Sequence, residues 1–120
     1  MKSPVIEIPK LFLVFLNNLS EIERKLALNG DPGNAKRNVE RIKDAFETEK
    51  LFYEDPLGQK FNETRTDLDA MITGNGADNL VVVEVMKPII RYGDHQYSRV
   101  IQKGIVVVES KTANEESKGE

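Results

Sequence analysis

Asp67 and Asp69, separated by one residue, come closest in this sequence to an acid–base pair. On an extended strand both side chains leave on the same face, an arrangement that proton-transfer chemistry can use. The same spacing is ordinary on the solvent side of a strand, and the pair is read that way. His95 is the single histidine. A histidine without neighbouring ligands does not make a metal site, so it is placed in an exposed loop. Gly74-Asn75-Gly76 is glycine-rich but lacks the Lys-Ser/Thr ending of a phosphate-binding loop, which leaves a turn. Lys43 and Glu47 stand four apart, the spacing of a solvated helix face. Cysteine is absent, which removes thiolate nucleophiles, disulfides and cysteine-based zinc sites. No catalytic residue, metal or cofactor is nominated, and a binding protein is expected rather than an enzyme.

The elements that would carry a binding surface fall into two kinds. Ile8, Phe12, Phe15, Leu19, Ile22 and Leu26 step along the chain by 4, 3, 4, 3 and 4. That is an apolar stripe on a helix from roughly Pro9 to Leu28. Leu11, Leu13, Val14 and Leu16 widen it, and a helix apolar on most sides must be covered on most sides. Asn29-Gly30 reads as its stop, and Asp31-Pro32 reads as the start of a second helix ending near Glu54, before Pro56. Ala35, Val39, Ile42 and Phe46 give that helix its apolar face. Two helices joined by a short turn cannot enclose a core, whereas two such hairpins make a four-helix bundle. The expectation is therefore a homodimer through Phe12, Phe15, Leu19, Ile22, Leu26, Val39, Ile42 and Phe46.

From residue 67 the period changes. Leu68, Ala70 and Ile72 alternate with Asp67, Asp69 and Met71, which suggests a half-exposed strand. Leu80 to Val85 is a β-branched run, and Pro88 separates it from Ile89 to Tyr92. Tyr97 to Gln102 and Ile105 to Glu109 follow across short breaks. The chain is thus expected to be α+β. Residues 1–54 form a dimerising helical hairpin and 55–66 a connector. Residues 67–110 form a small β-barrel or compact sheet for partner binding, and 111–120 a disordered polar tail.

With 17 basic and 20 acidic side chains and no basic cluster, neither nucleic acid nor an anionic membrane is an expected partner. The longest apolar run near the start, Leu11 to Leu16, is too short to span a bilayer. No cleavage pattern follows it, so the cytoplasm is the expected compartment.

Several stretches, taken in order, resemble the GrpE family, nucleotide exchange factors of DnaK-type chaperones. "IPKLFLVFLNNLSEIERKL" is similar to the family's "LLPVLDNLERAL" helix. "LFYEDPLGQKFN" is similar to its helix-to-β connector, with Asp55, Pro56, Gly58 and Phe61 in the Asp-Pro-x-Gly-x-x-Phe positions. Asp69-Ala70-Met71, "VVVEVMK" and "SRVIQKGIVVVES" resemble later family segments. The resemblance implies a dimeric four-helix bundle carrying β-domains and a co-chaperone role in protein folding and the stress response. It places contacts to the chaperone ATPase domain at Met86, Arg99 and Val108, with Arg99 meeting an acidic group. The sequence departs from the family in several places. It begins at the bundle, without the long coiled coil that usually precedes it. The stretch "NETRTDLD" lacks the family's histidine, and the hairpin "KPIIRYGDHQYS" is longer. These departures leave room for a second reading, a dimeric adaptor on the same scaffold with a different partner.

Overall fold

The computed structural model describes residues 7–111. In order along the chain run α1 (Lys10–Asn29), α2 (Lys36–Thr48), β1 (Leu51–Glu54), β2 (Leu68–Thr73), β3 (Leu80–Lys87), β4 (Ile89–Gly93), β5 (Ser98–Gln102) and β6 (Gly104–Ser110). The fold is mixed helix and sheet, as the change of period required. The expected disordered tail, apart from Lys111, lies outside the described residues.

α1 begins at Pro9, which presets its own φ at −55° while its carbonyl accepts from the Phe12 amide. It ends at Gly30, where φ is +86° and the amide returns to the Leu26 carbonyl. α2 starts later than expected. Asp31 does cap it, but from a distance: its two carboxylate oxygens accept from the amides of Ala35 and Lys36, at 2.6 and 2.8 Å. Residues between fold into a turn, with Asn34 left-handed.

α2 also ends sooner than expected, at Thr48 rather than Glu54. Lys50 adopts φ +67°, which no helix accommodates. The next residues, Leu51-Phe52-Tyr53, have the aromatic and bulky character of a strand. They pair antiparallel with β4, Leu51 opposite Tyr92 and Glu54 opposite Ile89. The division at residue 54 therefore shifts: the strand read as helix belongs to the sheet.

The strands make two three-stranded sheets. One has the order β1-β4-β5 and is antiparallel. The other has the order β2-β6-β3, with β2 parallel and β3 antiparallel to β6. Ile89 and Ile90 explain how they stack. Neighbours in a strand point to opposite faces, and both isoleucines are completely buried. Ile89 joins Leu68, Leu80, Val82, Val85, Val106 and Val108, the core between the two sheets. Ile90 joins Leu16, Leu19, Val39 and Leu51, the core beneath the helices. The β1-β4-β5 sheet is thus a middle layer covered on both sides, which is why its strand reads as a continuous apolar run rather than an alternation.

This layering corrects the argument for the dimer. The helices do not lack a cover, because the chain's own sheet supplies one. Leu19 and Val39, expected at a dimer interface, are buried inside the chain. Phe12, Leu26 and Phe46 pack against the same core, with Phe12 and Phe46 edge to face at 5.7 Å. Phe15, Ile22 and Ile42 are left 50%, 42% and 42% exposed, beside exposed Leu11 and Val14. On a 3.6-residue helix Leu11, Phe15 and Ile22 lie on one side of α1.

Polar contacts fix the helices to the sheets. Arg24 on α1 donates to the Val85 carbonyl at 2.7 Å and to Asp55 at 3.2 Å. Asn17 and Gln102 exchange amide hydrogen bonds, and Gln102 also reaches the Pro88 carbonyl. The connector is ordered by its own residues. Asp55 accepts from the Leu57 amide, Pro56 is buried, and Gly58 turns at φ +82°. The Gly58 and Phe61 amides then donate to the carbonyls of Val82 and Leu80, closing the edge of β3.

Candidate protein-interaction site

The three residues assigned to partner contact separate in the structure. Val108 is wholly buried between the sheets. β6 alternates strictly, with Gly104, Val106, Val108 and Ser110 inward and Ile105, Val107 and Glu109 outward, so Val108 is withdrawn as a contact. Met86 and Arg99 are both exposed. Met86 follows an irregularity in the pairing of β3 with β6 and edges a cleft of about 320 Å³ that also takes in Asn17, Ser20, Arg24 and Pro88. Arg99, on β5, edges a different depression of about 440 Å³ together with Tyr92, Gly93, Gln96, Tyr97 and Ser98.

The electrostatics single out Arg99. Between β1 and the end of β6 lie three arginines, Arg65, Arg91 and Arg99. Arg65 grips Asp67 through two nitrogens, at 3.0 and 2.9 Å, and also reaches Gln59 and the Lys60 carbonyl. Arg91 shares Asp67 at 3.0 Å and lies 2.5 Å from Glu54. Asp67 therefore ties the connector to β4 and, through Arg91, to β1. The hydrogen bonds from Arg65 hold its carboxyl below the usual aspartate range, against the opposing effect of burial. This corrects the reading of Asp67 and Asp69 as one solvent-facing pair: Asp67 is an internal anchor, while exposed Asp69 lies near Lys103. Arg99 has no such carboxylate or hydrogen-bond partner among the described residues.

A further concavity, of about 460 Å³, lies between α1, the start of α2 and β1. Its charges largely answer each other. Tyr53 donates to Glu23, Lys43 pairs with Glu23 at 3.1 Å and sits 4.9 Å above the Tyr53 ring, and Arg24 pairs with Asp55. Burial first, and the Glu23 carboxylate second, push the Tyr53 hydroxyl above its ordinary range. Lys43 thus turns to Glu23 and Glu40 rather than to Glu47. Glu47 instead faces His95 at 3.4 Å, and the exposed imidazole rests on the Phe52 ring. Among the described residues no group of three or more His, Asp or Glu is placed to hold a metal ion, and no helix is long and apolar enough to cross a membrane.

Sequence reasoning missed Tyr97. It is the most exposed of the large hydrophobic side chains among the described residues, at 83%, and its backbone is held by a compact turn. The Asp94 amide donates to the Tyr97 carbonyl, while the Asp94 carboxylate accepts from the amides of Gln96 and Tyr97 at 2.8 and 2.7 Å. Those two hydrogen bonds keep the Asp94 carboxyl below its usual range. The available signal was the pair of tyrosines around Gly93-Asp94, a turn dipeptide inside a hairpin noted only for its length.

The molecule is thus a layered α+β protein with an uncovered apolar helix face at one end and an aromatic, cationic hairpin on its middle sheet. Comparison of the chain with family models, with curated proteins and with solved structures finds no match.

Proposed function

We propose that the chain is a GrpE-like nucleotide exchange factor, which binds the ATPase domain of a DnaK-type chaperone and promotes ADP release. It acts as a dimer. The observation that supports this reading best is the state of Arg99: on a sheet whose other arginine, Arg91, is paired with Glu54 and Asp67, it has no carboxylate partner among the described residues and is available to an acidic group on a partner. Met86, an exposed and adaptable apolar side chain on β3 of the other sheet, supplies a second, separate contact. The Asp-Pro-x-Gly-x-x-Phe connector is consistent with the reading, since each of its four defining residues has a structural task at the joint between helices and sheets. For the dimer, the supporting feature is the outer face of the hairpin, where Leu11, Phe15, Ile22 and Ile42 remain exposed after the sheet has taken its share.

No catalytic side chain is required. An exchange factor acts by binding the open nucleotide cleft more tightly than the closed one, and the shift in population equals that difference in affinity. A thousandfold faster release corresponds to about 4 kcal/mol of preference. The test is the rate of labelled-ADP release from a DnaK-type ATPase domain. Wild-type protein at micromolar concentration should accelerate it, and Arg99→Ala should remove most of the effect. Full acceleration by Arg99→Ala would take that residue out of the site.

The burial of Val108 favours a second reading, because one of the three contacts implied by the resemblance is not available here. In that reading the scaffold is a dimeric adaptor whose exposed hairpin serves another protein. Acceleration of ADP release by the wild type decides for the first.

A further inference from the structure

Three features of the β4–β5 hairpin converge on one place. Arg99 is unpaired. Tyr92 is its cross-strand neighbour, so the ring and the guanidinium share a face of the sheet. Tyr97 stands almost fully in solvent at the rim of the same depression. A tyrosine so exposed loses most of its contacts within the chain, yet its backbone is fixed by two hydrogen bonds to Asp94, which also accepts from the Gln96 amide, and lies against Gly93. Gly93 has φ +133°, and a Cβ there would fall 2.3 Å from the Tyr97 carbonyl oxygen. The turn therefore depends on glycine, and Tyr97 is presented from a backbone that is already ordered. Arginine and tyrosine are the residues that most often carry binding energy, and an anchor already ordered gives up little backbone freedom on binding.

We infer that Tyr97 is a second anchor for the partner, set beside Arg99, and that the two together take a carboxylate-bearing segment of the partner's surface. The acid pairs with Arg99 and the adjoining carbon surface lies on the Tyr97 ring. The inference rests on the exchange-factor reading for the identity of the partner and adds to it a contact that lies in the lengthened part of the hairpin.

The experiment measures affinity of the full chain for a purified DnaK-type ATPase domain freed of nucleotide, the open state that an exchange factor binds most tightly. Tyr97→Ala should weaken binding at least tenfold, and Tyr97→Phe, which keeps the ring, should stay within about threefold of wild type. Gly93→Ala, which displaces the turn, should weaken binding like Tyr97→Ala. Circular dichroism on Tyr97→Ala should match wild type, since that side chain contributes little to the core. Wild-type affinity in Tyr97→Ala overturns the inference and leaves the exchange-factor reading intact. Absence of binding by the wild type overturns both.

Discussion

Leu16→Ala is expected to lower the stability of the chain by about 2–5 kcal/mol, the cost of truncating a wholly buried leucine. Leu16 has no exposed surface and lies in the cluster with Leu19 and Val39 of the helices and Leu51 and Ile90 of the middle sheet. Alanine is the best helix former, so none of the loss arises from α1 itself. The cavity opens between layers, and its effect must reach both. Urea unfolding followed by far-ultraviolet circular dichroism and by tyrosine fluorescence should show one transition, moved to lower denaturant in both signals. A helical hairpin that merely hung from the β-strands would behave otherwise. The sheets would keep their midpoint while helical signal was lost separately, and that result would remove the layered packing from the account.

Asp67→Asn is the next largest effect. The substitution keeps the shape of the side chain and removes its charge. Two arginines then face a neutral amide, one of them through two former charge-assisted bonds. Hydrogen bonds to charged groups contribute about 1.5–3 kcal/mol each, less where water reaches them. With this site partly open to solvent, a loss of about 1–2 kcal/mol near neutral pH is expected. The pH dependence gives the sharper test. Because the folded protein holds this carboxyl below its usual range, the unfolded chain takes up the proton first. The contribution is complete above the unfolded value of about 3.9 and disappears as pH falls through the lower folded value. Wild type and Asp67→Asn should therefore differ in urea midpoint at about pH 7 and converge on acidification below about pH 4. A difference that persists unchanged in acid would mean that the charge on Asp67 does not tie the connector to the sheet.

How much of this could be read in the sequence follows from the length of each signal. α1 was visible because its apolar stripe runs for five helical steps, and Gly30 marks its end. β3 to β6 were visible because β-branched runs are broken by Pro88, by Gly93-Asp94 and by Lys103-Gly104. β1 was not, because three apolar residues in a row carry no period, and a helix already in progress appeared to continue through them. The breadth of the apolar surface on α1 was read correctly as a need for cover. The cover was misplaced, since periodicity within a helix cannot say whether a second molecule or the chain's own sheet lies against it. The clue was Ile89-Ile90, two buried neighbours in one strand, which places apolar layers on both sides of it. Arg99 was singled out only through the resemblance, and its lack of a carboxylate neighbour was not legible in any local pattern. The pairing of Asp67 with two arginines depends on contacts distant in sequence, and no local pattern announces it.

What remains to be covered is the outer side of the hairpin, and the central claim is that a second copy covers it. Sedimentation equilibrium at micromolar concentration tests this directly. The account predicts a dimer for the wild type and a folded monomer for a chain carrying Phe15→Asp and Ile42→Asp, whose side chains are half exposed and lie outside the buried cluster. A wild type that sediments as a monomer, with Phe15 and Ile42 facing water, would contradict it.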